Sequence, residues 1–338
     1  MDCEIEPDVG PVPVSGSFAV SPSETTTYTI TAYGDGGSAT AQAVVSVIPS
    51  GIIETKVGPD GGAIETGFGY SVAVDGDWAV VGAPWQGSDI GSIGAAYVFH
   101  RDGSGWTLTT RLEANDAAEY DRFGRAVAIK GDLIVVGAPQ ADKDCGVMCT
   151  INSAGAAYVY RYDENNGWNP TPVIKLTATD AGSYWDFGTA LDISEGRIFV
   201  GAPGADVDCG VECTESYAGS VYVFESGAEG WTETDRVSVP EPVTDAYAGE
   251  ALDADGDTLV IGAPWIDDSC GIDCRIYYAG AAYVFTETFD GWTFQAEITP
   301  ESPSPYEGFG MSVAVSSDTI AVGGPFEDEG IPGSVYIF

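Results

Sequence analysis

Apolar and polar positions along this chain alternate with the two-residue period of strands, and no stretch holds the apolar spacing of a helix. Residues 123–176 show the pattern most clearly. Phe123-Gly124-Arg125-Ala126-Val127-Ala128-Ile129 alternates, and Lys130-Gly131-Asp132 turns the chain. Leu133-Ile134-Val135-Val136 is apolar throughout, as expected of a strand covered on both faces. Beyond Pro139 comes a long loop. Residues 155–160 then predict a third strand, Asn166-Gly167-Trp168 a turn, and Val173-Ile174-Lys175-Leu176 a fourth strand. The third strand recurs at residues 95–99, 220–224, 281–285 and 334–338, and the Gly-Trp pair recurs at Trp106, Trp231 and Trp292. Those tryptophans, one per unit, read as structural.

The spacing between these units is fixed. Phe68, Phe123, Phe187, Ala248 and Phe309 each stand fourteen residues before Gly82, Gly137, Gly201, Gly262 and Gly323, which open Gly-Ala-Pro or a close variant. An apolar residue (Val57, Leu112, Leu176, Val237, Ile298) stands eleven residues before each start. Val57 precedes the first unit, while the last unit stops at Phe338 without this segment. Four strands per repeat, with small Gly and Ala residues permitting close approach near an axis, predict an all-β fold. The expectation is a five-bladed β-propeller of four-stranded blades over residues 51–338. Its blades span about 67–113, 122–177, 186–238, 247–299 and 308–338, with 52–58 as the closing strand. A larger ring of six or seven blades is the competing arrangement. Residues 1–50 differ: residues 25–32, a turn at Gly34-Asp35-Gly36-Gly37 and residues 41–47 predict a hairpin, with Pro49-Ser50-Gly51 as linker.

Phe-Gly followed by Gly-Ala-Pro resembles the FG-GAP repeat of integrin α-subunit propellers and their bacterial relatives. The resemblance covers residues 52–338 and implies an extracellular β-propeller used in adhesion or recognition. Calcium-binding members carry an Asp-x-Asp-x-Asp-Gly-type loop between the first two strands. Here those turns are Asp75-Gly76-Asp77, Lys130-Gly131-Asp132, Ser194-Glu195-Gly196, Asp255-Gly256-Asp257 and Ser316-Ser317-Asp318. A caged Ca²⁺ takes about six to eight oxygens, so the family's usual metal site is not expected here. Residues 1–50 look like the C-terminal part of a bacterial immunoglobulin-like domain, a fold of roughly 100 residues.

Composition narrows the function. Twelve Lys and Arg stand against 52 Asp and Glu among 338 residues, a net charge of −40. That excludes nucleic acid as an obvious partner and suits a saline surrounding. No apolar run is long enough to span a bilayer, and no signal peptide is visible at Met1, so either a leader lies outside this chain or the chain is an excerpt of a longer one. The expectation is an excerpt of a longer multidomain protein, secreted or displayed on a cell surface.

Six of seven cysteines form equivalent pairs, Cys145/Cys149, Cys209/Cys213 and Cys270/Cys274, in loops after Gly-Ala-Pro. In those units the interval from the motif glycine to the third-strand tyrosine is 21 residues, against 15 and 13 in the two without cysteines. The extra length arriving with the cysteines predicts disulfide clips, with a metal half-site as the alternative. Cys3 is left over. The same loops are acidic: Asp142 and Asp144, Asp206 and Asp208, Asp267 and Asp268, then Glu327, Asp328 and Glu329. They read as solvated loops. No cofactor is required, and calcium at Asp142, Asp144, Asp206, Asp208 or Asp267 is the alternative.

If the strands are antiparallel, the clipped loops and the eleven-residue segments emerge on one face. Trp85, Trp265 and Phe326 follow the Gly-Ala-Pro motif there, with Tyr120, Tyr184, Trp185 and Tyr306 on the preceding loops. These aromatics either pack the loop bases or form a ligand face for a protein or glycan. His100 is the one histidine, and no nucleophile elbow, zinc motif or phosphate loop is present, so no enzyme is expected. A polysaccharide-acting enzyme or accessory carbohydrate-binding domain using acidic loop residues is the second reading.

Overall fold

A computed structural model describes residues 2–7, 9–12, 26–34, 37–45, 55–59, 66–88, 91–103, 105–146, 149–210, 213–228, 230–271, 274–326 and 332–338. It is all-β in those residues, and the chain divides into two compact units, Met1–Lys56 and Val57–Phe338.

The first unit is one antiparallel sheet with strand order Gly10–Val12, Asp2–Glu6, Thr26–Gly34, Gly37–Val45. The expected hairpin is there, Tyr28 opposite Ala43 and Thr31 opposite Thr40. A further strand holds Cys3 opposite Ala32, and Cys3 is a free thiol. Among the described residues this unit is a single sheet, so no immunoglobulin sandwich is seen.

The second unit contains five consecutive antiparallel sheets. The first runs through Val72–Asp75, Trp78–Ala83, Ala95–Asp102 and Gly105–Leu112, each strand pairing with the next. The second, third and fourth repeat that meander, and in the second the outer strand is broken into Gly167–Trp168 and Ile174–Leu176. Because side chains alternate across a strand, each sheet presents two apolar faces. In the first sheet Val80, Ala96 and Val98 pack against the second sheet's Phe123, Val127 and Ile129. The opposite face carries Val81, Tyr97 and Phe99. The same interleaving joins the second sheet to the third, the third to the fourth and the fourth to the fifth. Leu133–Ala138 is buried at every position because it is sandwiched this way.

The motif glycines set the separation at each junction. A methyl on Gly82 would overlap the carbonyl of Gly124, and Gly137, Gly201 and Gly262 stand likewise against Gly188, Gly249 and Gly310. The Phe-Gly pair itself lies outside the strand predicted for it. The second sheet's inner strand begins at Val127, and Phe123 instead makes an isolated parallel bridge to Gly94, just ahead of the first sheet's third strand. Phe187, Ala248 and Phe309 bridge to Gly155, Gly219 and Gly280 in the same way. The residues eleven positions earlier plug the core beneath these pairs: Leu112 with Phe123, Leu176 with Phe187, Val237 with Ala248 and Ile298 with Phe309.

One expectation is not met. The fifth sheet has three strands, Ser312–Ser316, Thr319–Phe326 and Pro332–Ile337, and no closing strand is seen beside it among the described residues. Residues 55–59 form no strand, and residues 51–54 lie outside the described residues. Val57 packs instead on the first sheet beside Phe68, the plugging role of its equivalents. Both ends of the array are bare. Val72 and Val74 are 70% and 66% exposed, whereas the equivalent Val127 and Ile129 are 8% and 7%. Val335 and Ile337 of the fifth sheet are also largely exposed, whereas the equivalent Ala96 and Val98 are buried.

Candidate functional site

The five inner strands, Val72–Asp75, Val127–Lys130, Leu191–Ser194, Ala251–Asp255 and Ser312–Ser316, all contribute to one cavity of about 470 Å³. Their free edges are satisfied by neighbours. Asp75 accepts from the Gly131 N–H at 2.7 Å, Asp192 from Ala254 at 3.0 Å, Asp253 from Val315 at 2.6 Å and Asp255 from Ser317 at 2.7 Å. A sheet edge offers unpaired N–H groups, and a carboxylate on the next inner strand is a strong acceptor for them. Burial, and then the charge of Asp253, push the Asp192 carboxyl up to about 6.

Two residues past the Phe-Gly phenylalanine or its equivalent, side chains from separated sheets converge. Arg125 donates to Glu250 at 3.3 Å, joining the second sheet to the fourth, and the Arg125 guanidinium lies 4.7 Å from the Tyr70 ring of the first. Asp186 sits beside this group, and burial followed by the Glu250 charge raises its carboxyl to about 6.

The loops around this end are tied to one another by the backbone. Tyr120, Tyr184, Asp245 and Tyr306 all take positive φ, and their N–H groups donate to Ser92, Asn152, Ser216 and Tyr277 of the preceding unit's loop. The clipped loops are two-stranded hairpins: Lys143–Gly146 with Cys149–Ile151, Val207–Gly210 with Cys213–Glu215, and Asp268–Gly271 with Cys274–Ile276. Cys145–Cys149 and Cys209–Cys213 are disulfides with Cα atoms 5.1 and 5.2 Å apart. Gly146 and Gly210, at φ of 117° and 121°, supply the turn that this short spacing requires. The sulfurs of the Cys270/Cys274 pair lie outside the described residues. Glu215 stands beside Cys209 and Cys213, but sulfurs joined to each other are not thiolate ligands.

The acidic candidates have backbone partners. Asp142, Asp206 and Asp267 accept from the N–H groups of Ser153, Tyr217 and Tyr278, each eleven residues on, at 2.8, 3.2 and 2.7 Å. Asp144 and Asp208 accept from Gly146 and Gly210 at 2.8 and 2.9 Å. These carboxylates shape the hairpins. Asp268's side chain and residues 327–329 lie outside the described residues.

The aromatic candidates separate into several environments. Trp185 is buried at 7% exposure, under the Arg236 guanidinium 5.2 Å from its ring, and packs the core between the second and third sheets. Trp85 is exposed and meets Tyr70 edge-on at 5.2 Å. Tyr120 and Tyr184 are exposed on their own loops, and Phe326 is exposed at the end of its strand. His100 lies against the Trp78 ring at 4.4 Å.

Trp265 and Tyr306 are brought together through a residue the sequence reading passed over, Tyr278, at ring distances of 5.8 and 5.5 Å. Asp245, Tyr247, Trp265 and Tyr278 line one cavity of about 520 Å³, and Tyr217 stacks on Tyr247 at 5.8 Å with planes 20° apart. A signal for two of these was available. Tyr217 and Tyr278 each stand eleven residues after the first aspartate of a clipped loop, where the second unit has Ser153.

No curated protein registers as a match to this chain. The family model described as FG-GAP repeat matches residues 54–99, 106–160, 171–224, 231–285 and 292–338; from the second match on, each runs from the outer strand of one sheet through the first three strands of the next. With most of its length matched in five successive copies, this chain belongs to the FG-GAP repeat family.

Proposed function

We propose that residues 57–338 form a β-propeller serving as an extracellular recognition module, which holds a protein or glycan ligand on the loop face. The cavity shared by all five inner strands supports the radial arrangement. Ring closure sets Val335 and Ile337 against Val72 and Val74, the pairing of faces used at the four internal junctions. The first unit acts as an immunoglobulin-like spacer within a longer surface protein.

The observation that carries the recognition reading is the loop face itself. Disulfide-clipped hairpins and positive-φ loops hydrogen-bond to one another and hold exposed Tyr and Trp rings in place. Rigid loops bearing amphipathic rings suit binding. In this reading the module works without a cofactor, and its loop carboxylates serve to shape the hairpins by accepting backbone N–H groups. It carries no catalysis: the raised carboxyls Asp186 and Asp192 reflect burial beside Glu250 and Asp253.

The test is capture from a cell-surface extract by the immobilised full chain, compared with a Trp85→Ala/Trp265→Ala/Tyr306→Ala chain of equal melting temperature. Retention of a surface protein or polysaccharide by the first and its loss from the second is expected. Equal retention by both chains, or none by either, rejects the loop face as a binding surface.

A further inference from the structure

The cleft beside the third, fourth and fifth sheets is chemically unlike a packed loop base. Its rings stand in two groups, Tyr217 on Tyr247 on one side, Trp265, Tyr278 and Tyr306 on the other. Tyr278 and Tyr306 are exposed, and Asp245 beside them is exposed too. Among the described residues, the Asp245 carboxylate, the Tyr247 and Tyr278 hydroxyls and the Trp265 indole N–H have no protein hydrogen-bond partner. Buried tyrosines elsewhere are capped: Tyr158 donates to Asp116 at 2.8 Å and Tyr222 to Asp180 at 2.9 Å. Aromatic faces and open polar groups therefore line one cleft, whose size of about 520 Å³ lies within the range of small-ligand sites.

We infer that this cleft binds a neutral oligosaccharide. The inference rests on the recognition reading above and narrows its ligand. A pyranose offers an apolar C–H face to an aromatic ring, and hydroxyls around its rim to a carboxylate, phenols and an indole N–H. A flat protein hot spot instead buries rings at a desolvated centre. Charge decides which sugars. Among the described residues no Lys or Arg lines the cleft, Asp245 does, and the chain carries −40, so uronates and sulfated sugars are repelled. Rings continuing past the cleft on both sides favour several linked units over a monosaccharide.

The experiment is a tryptophan-fluorescence titration of the full chain. The neutral probes are cellohexaose, xylohexaose, mannohexaose and chitohexaose, and the acidic probes are polygalacturonate and heparin. At least one neutral probe saturates. Trp265→Ala and Tyr278→Ala each weaken it about tenfold or more, the size of a hot-spot loss. Phe289→Ala, an exposed ring on the turn between Thr288 and Gly291 and outside the cleft lining, leaves it unchanged. Should Trp265→Ala lower the melting temperature, the exposed Tyr278→Ala and Asp245→Asn carry the test. A neutral probe bound equally by all variants overturns the cleft as its site. Binding of acidic probes alone overturns the charge argument. No binding of any probe overturns the glycan inference. In that last case, a surface protein retained by the wild type and lost from the triple variant would leave the recognition reading standing.

Discussion

Gly137→Ala probes the contact on which the array of sheets depends. Gly137 is clamped in its strand: its N–H donates to Ala126 and its carbonyl accepts from Gly124, both at 2.9 Å. An added methyl would overlap the Gly188 carbonyl oxygen and lie 3.0 Å from its carbon and 3.3 Å from its Cα. All of these are backbone atoms. Gly188 cannot retreat, because its N–H donates to Gly201 at 2.9 Å and its own α-carbon faces the Ala156 carbonyl. Relief must come from parting the second and third sheets, whose core includes Val135, Val159, Phe187 and Tyr222. Overpacking costs about 1–3 kcal/mol and occasionally more, and a backbone-on-backbone clash belongs at the upper end, about 3 kcal/mol. At roughly 2 °C per kcal/mol for a unit of this size, melting falls by about 6 °C. The control is Gly131→Ala. It has φ of 57° and open space around it, so the cost is that of left-handed backbone alone, about 1–2 kcal/mol. Urea unfolding of both variants beside the wild type measures the difference. If Gly137→Ala costs no more than Gly131→Ala, the close approach is not what selects glycine there.

The remaining expectations concern closure, charge, metal and redox state. In the structure, the three nearest atoms to a methyl on Gly323 all belong to Ser312, the closest being its hydroxyl, and one on Gly69 would meet nothing within 4 Å. Ring closure brings these two glycines into the contact made at the other junctions, so Gly323→Ala should cost as much as Gly137→Ala. A cost below about 1 kcal/mol counts against closure. Asp192 is held up at about 6 from 3.8, so the folded chain keeps a proton that the unfolded chain releases first. Its contribution is therefore full below about pH 4 and lost as pH rises to 6, and Asp192→Asn should stabilise by about 1–3 kcal/mol at pH 7 and little at pH 4. An equal offset at both pH values refutes this. Chelator should leave the melting curve unmoved, since an ion bound to the folded state would raise it. Reduction should add about two hydrogens per clip to the intact mass, and each small ring lost should cost at most about 2 kcal/mol.

Much of this protein is legible from the sequence because its elements are short, local and repeated. Alternation over 4–8 residues, turn residues and two fixed intervals place the strands of the repeats, and the added loop length identifies the clipped hairpins. What the sequence misreads is decided between sheets. Phe123 sits at the head of an alternating run, yet it makes an isolated bridge to Gly94, just ahead of the first sheet's third strand. Val57 has the spacing of a last strand but plugs the first core instead.

The same division holds for the candidate site. Sequence alone settles that aromatic residues recur on the loops after Gly-Ala-Pro, since position in a repeat fixes which loop a residue occupies. Tertiary packing decides which rings face out. Trp185 is roofed by Arg236 and lost to the core, whereas Trp265 joins Tyr278, thirteen residues on, and Tyr306 of the next unit at an open cleft. Arg125 and Glu250 meet although 125 residues apart. Alternation reports whether a side chain faces a sheet's surface, but what covers that surface depends on the neighbouring sheet, and no local pattern encodes it.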